Sequence, residues 1–199
     1  MTTSTSLTRA QESWFRDVNS FAAHTSWLHT PMRLYAKDGI VLFALLLLTA
    51  WWVARGSGDL AKVAASLWAP VGVLVALAVN QPIANLVAEP RPYASLSHVL
   101  VLVSRSTDYS FPSDHAVMAG AVASALMLTD RRLGWVATVL AVLMAFARVY
   151  VGAHFPLDVL AGLAVGAAVA VGGHLVVRRP LVALVTMVSR TPLRPFVTA

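Results

Sequence analysis

The sequence predicts an all-α fold, a polytopic membrane bundle of about five transmembrane helices with an N-terminal interfacial helix. Two observations lead there. Of the 199 residues, 58% are hydrophobic and 12% charged, against about 25% charged in a soluble domain. Several apolar runs also reach or approach the ~20 residues that cross a bilayer. The chain therefore reads as one integral membrane domain over 1–199, not a soluble domain with an anchor.

Taken in order, residues 1–8 are Ser/Thr-rich and expected to be disordered. Residues 9–30 carry Trp14, Phe15, Val18, Phe21, Ala22 and Trp27 among charges. This pattern suits an amphipathic helix at the membrane interface, or equally one packed on the bundle. The expected spans are roughly 34–54, 63–88, 113–129, 134–151 and 156–177. The first strong apolar run starts near Gly39, late for a cleavable signal, and is read as a retained span. Pro112 and Pro156 each suit the first turn of a helix. Pro82 should bend or break the second span near its end. Residues 180–199 are expected to form a tail, with a short surface helix.

The net charge of +6 does not indicate nucleic acid, because the basic residues form no stripe interleaved with aromatics. They sit at the ends of apolar runs. Arg55, Lys62, Arg131, Arg132, Arg178, Arg179, Arg190 and Arg194 fall on one side, opposed only by Asp59 and Asp130. By the positive-inside rule that side is cytoplasmic. The chain has no cysteine, which excludes disulfides and thiolate metal sites.

Against this background three polar groups stand out: Glu89-Pro90-Arg91-Pro92, Phe111-Pro112-Ser113-Asp114-His115, and Arg148 with His154 and Asp158. All three fall on the side opposite the basic cluster. Desolvating such groups costs several kcal/mol each unless they are paired, so on the order of a dozen kcal/mol has to be offset by specific contacts. A helix starting at Pro112 exposes unpaired N–H donors that attract an anion, and Ser113 adds a hydroxyl. The bland alternative is a helix start with a satisfied core histidine at His115. Asp158, one turn beyond His154, is placed to accept a hydrogen bond from one ring nitrogen and leave the other as a nucleophile. Alternatively it complements the helix dipole. Arg91, stiffened by two prolines, suits a grip on two phosphate oxygens, or it snorkels to the interface. Two Arg, two His, a carboxylate and a Ser are what an enzyme needs to hold a phosphate, attack it and protonate its leaving group.

Together these motifs resemble the type-2 phosphatidic-acid phosphatase superfamily, with its signature K-x6-R-P, P-S-G-H and S-R-x5-H-x3-D. The last piece reads ARVYVGAHFPLD, with Arg148, His154 and Asp158 correctly spaced. The middle piece reads PSDH, with Asp114 for Gly. The first keeps Arg91-Pro92, but its Lys position falls on Ala84. EPRP, FPSDH and VGxHxPxDVL together resemble the bacitracin-resistance type of undecaprenyl-diphosphate phosphatase, over about 35–180.

The resemblance implies a bacterial plasma-membrane enzyme that hydrolyses polyprenyl diphosphate at the outer face and recycles the cell-wall lipid carrier. It assigns His154 as the nucleophile forming a phosphohistidine, Asp158 as its orienting group and His115 as the general acid and base. Arg91, Arg148 and Ser113 would hold the phosphoryl oxygens. No metal or other cofactor is implied, since two arginines supply the positive charge. Asp114 and Glu89 would tune His115, position an arginine or repel monophosphates. His98, Arg105 and Asp108 either line the headgroup entrance or are solvated loop residues. The competing expectations are a phosphatase of phosphatidate, phosphatidylglycerophosphate or another prenyl-linked phosphate, a non-catalytic lipid transporter, and a metallohydrolase with His115, His154 and Asp158 as ligands.

Overall fold

The computed structural model describes residues 2–198, with side chains from Arg9 onward. Every regular element is helical. They are α1 (Thr2–His24), α2 (Ser26–Asp38), α3 (Ile40–Gly56), α4 (Leu60–Val87), α5 (Pro92–Ser95), α6 (Asp114–Thr129), α7 (Arg131–Tyr150) and α8 (Pro156–Val188), followed by a 3₁₀ turn at Arg194–Phe196. The α1 backbone takes in most of the 1–8 segment expected to be disordered; the side chains of that segment lie outside the described ones.

α6 is the axis of the bundle and packs against α4, α7 and α8. Its sequence is apolar all round, and nearly every residue from Ala116 to Leu126 is buried, as such a helix requires. Close approach to α8 depends on small residues. A Cβ on Gly166 would overlap the Val117 carbonyl and lie 2.8 Å from the Ala121 nitrogen. α4 joins α8 through Trp68, whose Nε1 donates to the Ala170 carbonyl at 2.8 Å. Asp59 and Asp130, the two acids on the basic side, are N-caps. Asp59 accepts from the Ala61 and Lys62 nitrogens, and Asp130 from Arg132 and Leu133. Each contributes about 1 kcal/mol.

Of the apolar helices, α4 with α5, α7 and α8 are long and apolar enough to cross a membrane alone, and the α2–α3 pair is a fourth if taken as one bent span. The expected first span is therefore corrected. The chain bends by 53° between α2 and α3, so residues 34–38 belong to α2 and only 40–56 continue into the apolar helix. α6, expected as a span, has 16 residues, about 24 Å, and is sheathed by its neighbours.

Three other expectations change. Of the bend or break expected at Pro82 the break does not occur: α4 runs through Pro82 to its cap at Ala88, which is in the left-handed conformation. Pro112 precedes the cap of α6 instead of sitting in its first turn, whereas Pro156 does open α8. There is no separate tail helix from residue 180: α8 continues through Pro180 to Val188. The remaining tail folds back on α3, where Phe196 and Pro195 carbonyls accept from Trp51 and Arg55.

α1 packs on the bundle. Phe15 is fully buried and meets Phe155 edge-on at 5.4 Å. Asn19 bonds both backbone groups of Leu100, at 2.8 and 3.0 Å. The opposite face leaves Trp14 and Phe21 exposed, as a helix at the apolar–polar boundary would.

The α6–α8 contact yields one test. In Gly166→Val the clash is with backbone, which cannot yield, and overpacking costs about 1–3 kcal/mol. Thermal unfolding in detergent is expected to shift down by roughly 3–10 °C.

Candidate active site

The three polar groups converge at one end of the bundle, where α4 ends and α6 and α8 begin. They meet at His154, in the turn between α7 and α8. That turn is forced by Gly152, with φ of 78°; a Cβ there would strike the Leu100 carbonyl. Its backbone is closed by Ala153 N to Arg148 O at 3.1 Å, and Leu102 N reaches Val151 O at 3.0 Å.

The imidazole of His154 is 2% exposed. Its Nδ1 donates to the Ser110 carbonyl at 2.8 Å. A carbonyl can only accept, so the proton is on Nδ1 and Nε2 carries the lone pair. Nε2 faces two guanidinium groups, Arg91 Nη1 and Arg148 Nη2, each at 3.2 Å.

The expected direct hydrogen bond from His154 to Asp158 is corrected: Nδ1 and Asp158 Oδ2 stand 3.6 Å apart. Asp158 Oδ2 instead accepts from the Ser110 hydroxyl and, at 2.8 Å, from the Phe155 nitrogen. The carboxylate thus orients His154 at one remove, by fixing the residue whose carbonyl takes the Nδ1 proton. It also caps α8, so the helix-terminus reading and the orienting reading both apply.

Arg91 is held on all sides. Its Nε and Nη2 form a fork on the Asp108 carboxylate at 3.0 Å each, and Nη1 also donates to the Ala153 carbonyl at 3.0 Å. Asp108, left between entrance and solvent by the sequence, is therefore the partner of Arg91. Burial pushes its carboxyl up, but hydrogen bonds from Ser106 and Arg91 and the Arg91 charge outweigh that and hold it below the ordinary carboxylate value. Arg148 is anchored by Nη1 on the Ala36 carbonyl of α2 at 3.2 Å.

His115, one residue into α6, makes no side-chain hydrogen bond to the described residues. It lines an open cavity of about 820 Å³ together with Arg91, Arg148, Asp114 and His154. Asp114 is held at the cavity edge by Asn80 Nδ2 at 2.7 Å and Gln81 Nε2 at 3.1 Å.

Ser113 is not brought to the cavity. It is fully buried, its Oγ has no partner, and its nitrogen donates to the Asp158 carbonyl at 3.1 Å. Glu89 also lies away from the cavity. It accepts from Gln11 of α1 at 2.8 Å, and its carbonyl accepts from Ser110 N. His98 is exposed, and Arg105 stacks over Tyr93 at 5.6 Å.

The site thus offers a neutral imidazole nitrogen between two guanidiniums, beside a second histidine that faces open space. This arrangement can bind an oxyanion, attack its centre and exchange a proton. Ser110 and Asp108 were missed as partners because loop serines and aspartates carry no spacing signal.

Known proteins resemble this chain in sequence and in fold. The PAP2 superfamily matches residues 65–180. The chain is 32% identical over 151 residues to undecaprenyl-diphosphatase BcrC of Bacillus subtilis, covering 76% of each chain. It is 35% identical over 97 residues to an undecaprenyl-diphosphatase of Sulfolobus acidocaldarius, covering 48% of this chain and 47% of that one. Its fold is similar to the crystal structure of Aquifex aeolicus LpxE, with a TM-score of 0.60 and 24% identity, over 80% and 91% of the two chains.

Burial, then the charges of Arg148 and Arg91, hold the His154 imidazole well below its ordinary value despite the Ser110 carbonyl. Below about pH 6.5 the unfolded chain gains a proton that the folded chain refuses, so this stability is full above that pH and is lost on acidification. Between pH 7.5 and 5, the wild type should lose roughly 3–6 °C more in unfolding temperature than His154→Gln.

Proposed function

The chain belongs to the PAP2 superfamily, and from that premise we propose that it hydrolyses polyprenyl diphosphate to the monophosphate and inorganic phosphate. The observation that carries the reading is the lone pair of His154 Nε2, aimed between Arg91 and Arg148. The terminal phosphoryl group lies where the two guanidiniums converge, and its oxygens replace Nε2 as their acceptors. Nε2 attacks phosphorus. The bond to the bridging oxygen breaks, and the lipid monophosphate leaves with a proton from His115. His115, now neutral, takes a proton from water. The resulting hydroxide attacks the phosphohistidine, which releases phosphate and restores His154. Ser110 and Asp158 keep the Nδ1 proton in place through both steps. Positive charge at the transition state comes from the arginines, oriented in advance by Asp108, Ala153 and Ala36.

The cavity opens at the end of the bundle remote from the eight basic residues at the α3–α4, α6–α7 and α8 ends. With those ends cytoplasmic, the site faces outward, where it meets diphosphate left by extracytoplasmic polymerisation of cell-wall units.

Phosphate release from purified protein in detergent with chelator, across diphosphate and monophosphate lipids, tests the activity. Undecaprenyl diphosphate should be the preferred substrate. His154→Ala should abolish turnover and Asp158→Asn should lower it by about 10²–10⁴-fold, both proteins remaining folded. Near-normal release from His154→Ala would sink the mechanism. Preference for phosphatidate or phosphatidylglycerophosphate would replace the substrate assignment.

Orientation is tested by single cysteines in this cysteine-free chain. Ser106→Cys should react in intact cells with a membrane-impermeant thiol reagent, and Ser57→Cys only after permeabilisation. The reverse pattern would place the substrate in the cytoplasm.

A further inference from the structure

We infer that Lys37 and Arg33 on α2 form the subsite for the second phosphoryl group, the one that stays on the lipid. This rests on the diphosphate reading above and deepens it. His154, Arg91 and Arg148 account for one phosphoryl group only. Yet the cavity of about 820 Å³ is lined by residues of α2 as well. Arg33 and Lys37 both line it. They stand four residues apart, on one face of the helix.

Their placement is fixed from below. Ala36, directly before Lys37, is fully buried and takes the Arg148 guanidinium on its carbonyl at 3.2 Å. Tyr35 donates its hydroxyl to the Leu140 carbonyl of α7 at 2.7 Å. α2 is thus bonded to the helix that carries Arg148, and Lys37 lies one residue from that bond.

The charges are also unspent. Among the described residues Arg91–Asp108 and His154–Asp158 are the two close ion pairs, and neither Arg33 nor Lys37 makes a side-chain hydrogen bond. Asp38 and Asp114 line the same cavity, and Asp114 is already engaged by Asn80 and Gln81. Ala84 also lines the cavity, and its methyl group offers no charge. The cation for the leaving phosphate therefore comes from α2. That phosphate gains negative charge as the bridging bond breaks, and a cation there favours the transition state.

The test is made on full-length protein in detergent with Arg33→Gln, Lys37→Gln, the double variant and Lys37→Arg. Two inhibitors that share one alkyl chain, dodecyl phosphonate and dodecyl methylenebisphosphonate, compete against whichever lipid phosphate the wild type hydrolyses. The double variant should raise the bisphosphonate inhibition constant about 10–100-fold and the phosphonate constant less than about 3-fold. Lys37→Arg should stay near wild type, and kcat/KM for undecaprenyl diphosphate should fall in parallel with bisphosphonate affinity. Equal changes for both inhibitors, or none, overturn the subsite. A wild type that turns over only monophosphate lipids overturns the diphosphate reading separately. Both side chains are exposed, and unchanged phosphonate inhibition reports that the variants are folded.

Discussion

Two guanidinium groups are brought to within 3.2 Å of one imidazole nitrogen in a place where water is scarce. Like charges so close repel, and desolvation adds to the cost. Everything around them offsets it. Asp108 neutralises Arg91, and the carbonyls of Ala153 and Ala36 each take one further donor, from Arg91 and Arg148 respectively. The imidazole contributes a lone pair instead of a third positive charge. What is left is a site with a deficit of negative charge, suited to an anion. Binding and preorganisation are one property here, because the arginines are already aimed before an anion arrives.

That arrangement depends on the loops more than on the helices. Ser110 links the parts: its carbonyl fixes the His154 tautomer, its hydroxyl bonds Asp158, and its nitrogen is tied to Glu89. A single loop residue thus joins the end of α4, the start of α8 and the turn carrying His154. The helix bundle provides rigid ends, with α6 sheathed on all sides and its first-turn N–H groups directed toward the cavity end. The start of α8 approaches Ser113 through Gly162, where a Cβ would lie 2.8 Å from the Ser113 carbonyl, and Gly166 continues that close packing one turn further along α6.

Much of the site was legible in the sequence, because polar residues in an apolar chain are conspicuous. Arg91, Arg148, His115, His154 and Asp158 stood out for that reason, and their spacing placed Arg148, His154 and Asp158 around the junction of two successive spans. Ser113 stood out equally, yet the fold turns it inward. Helix-start residues point along directions that spacing alone does not resolve. Asp108 and Ser110 were not legible as partners, since nothing in a polar loop marks which carboxylate or carbonyl will face a given arginine or histidine. The helix order followed from hydropathy, but the bend at Gly39 did not. Hydropathy is continuous across Leu34–Ala54 apart from Lys37 and Asp38, and those two charges were the sign that the run was not a single span.

The N-terminal helix gains a purpose from these contacts. Phe15 buries itself against Phe155, the neighbour of His154, and Asn19 saturates both backbone groups of Leu100. Leu100 in turn is the residue that Gly152 approaches too closely for any side chain. Two residues on, Leu102 bonds the Val151 carbonyl. α1 therefore clamps a loop that itself clamps the turn carrying His154. A short turn carrying a reactive histidine has few internal hydrogen bonds with which to hold its shape. The amphipathic character of residues 9–30 is accounted for by this brace: one face covers the turn, and the other, with Trp14 and Phe21, meets the boundary of the membrane.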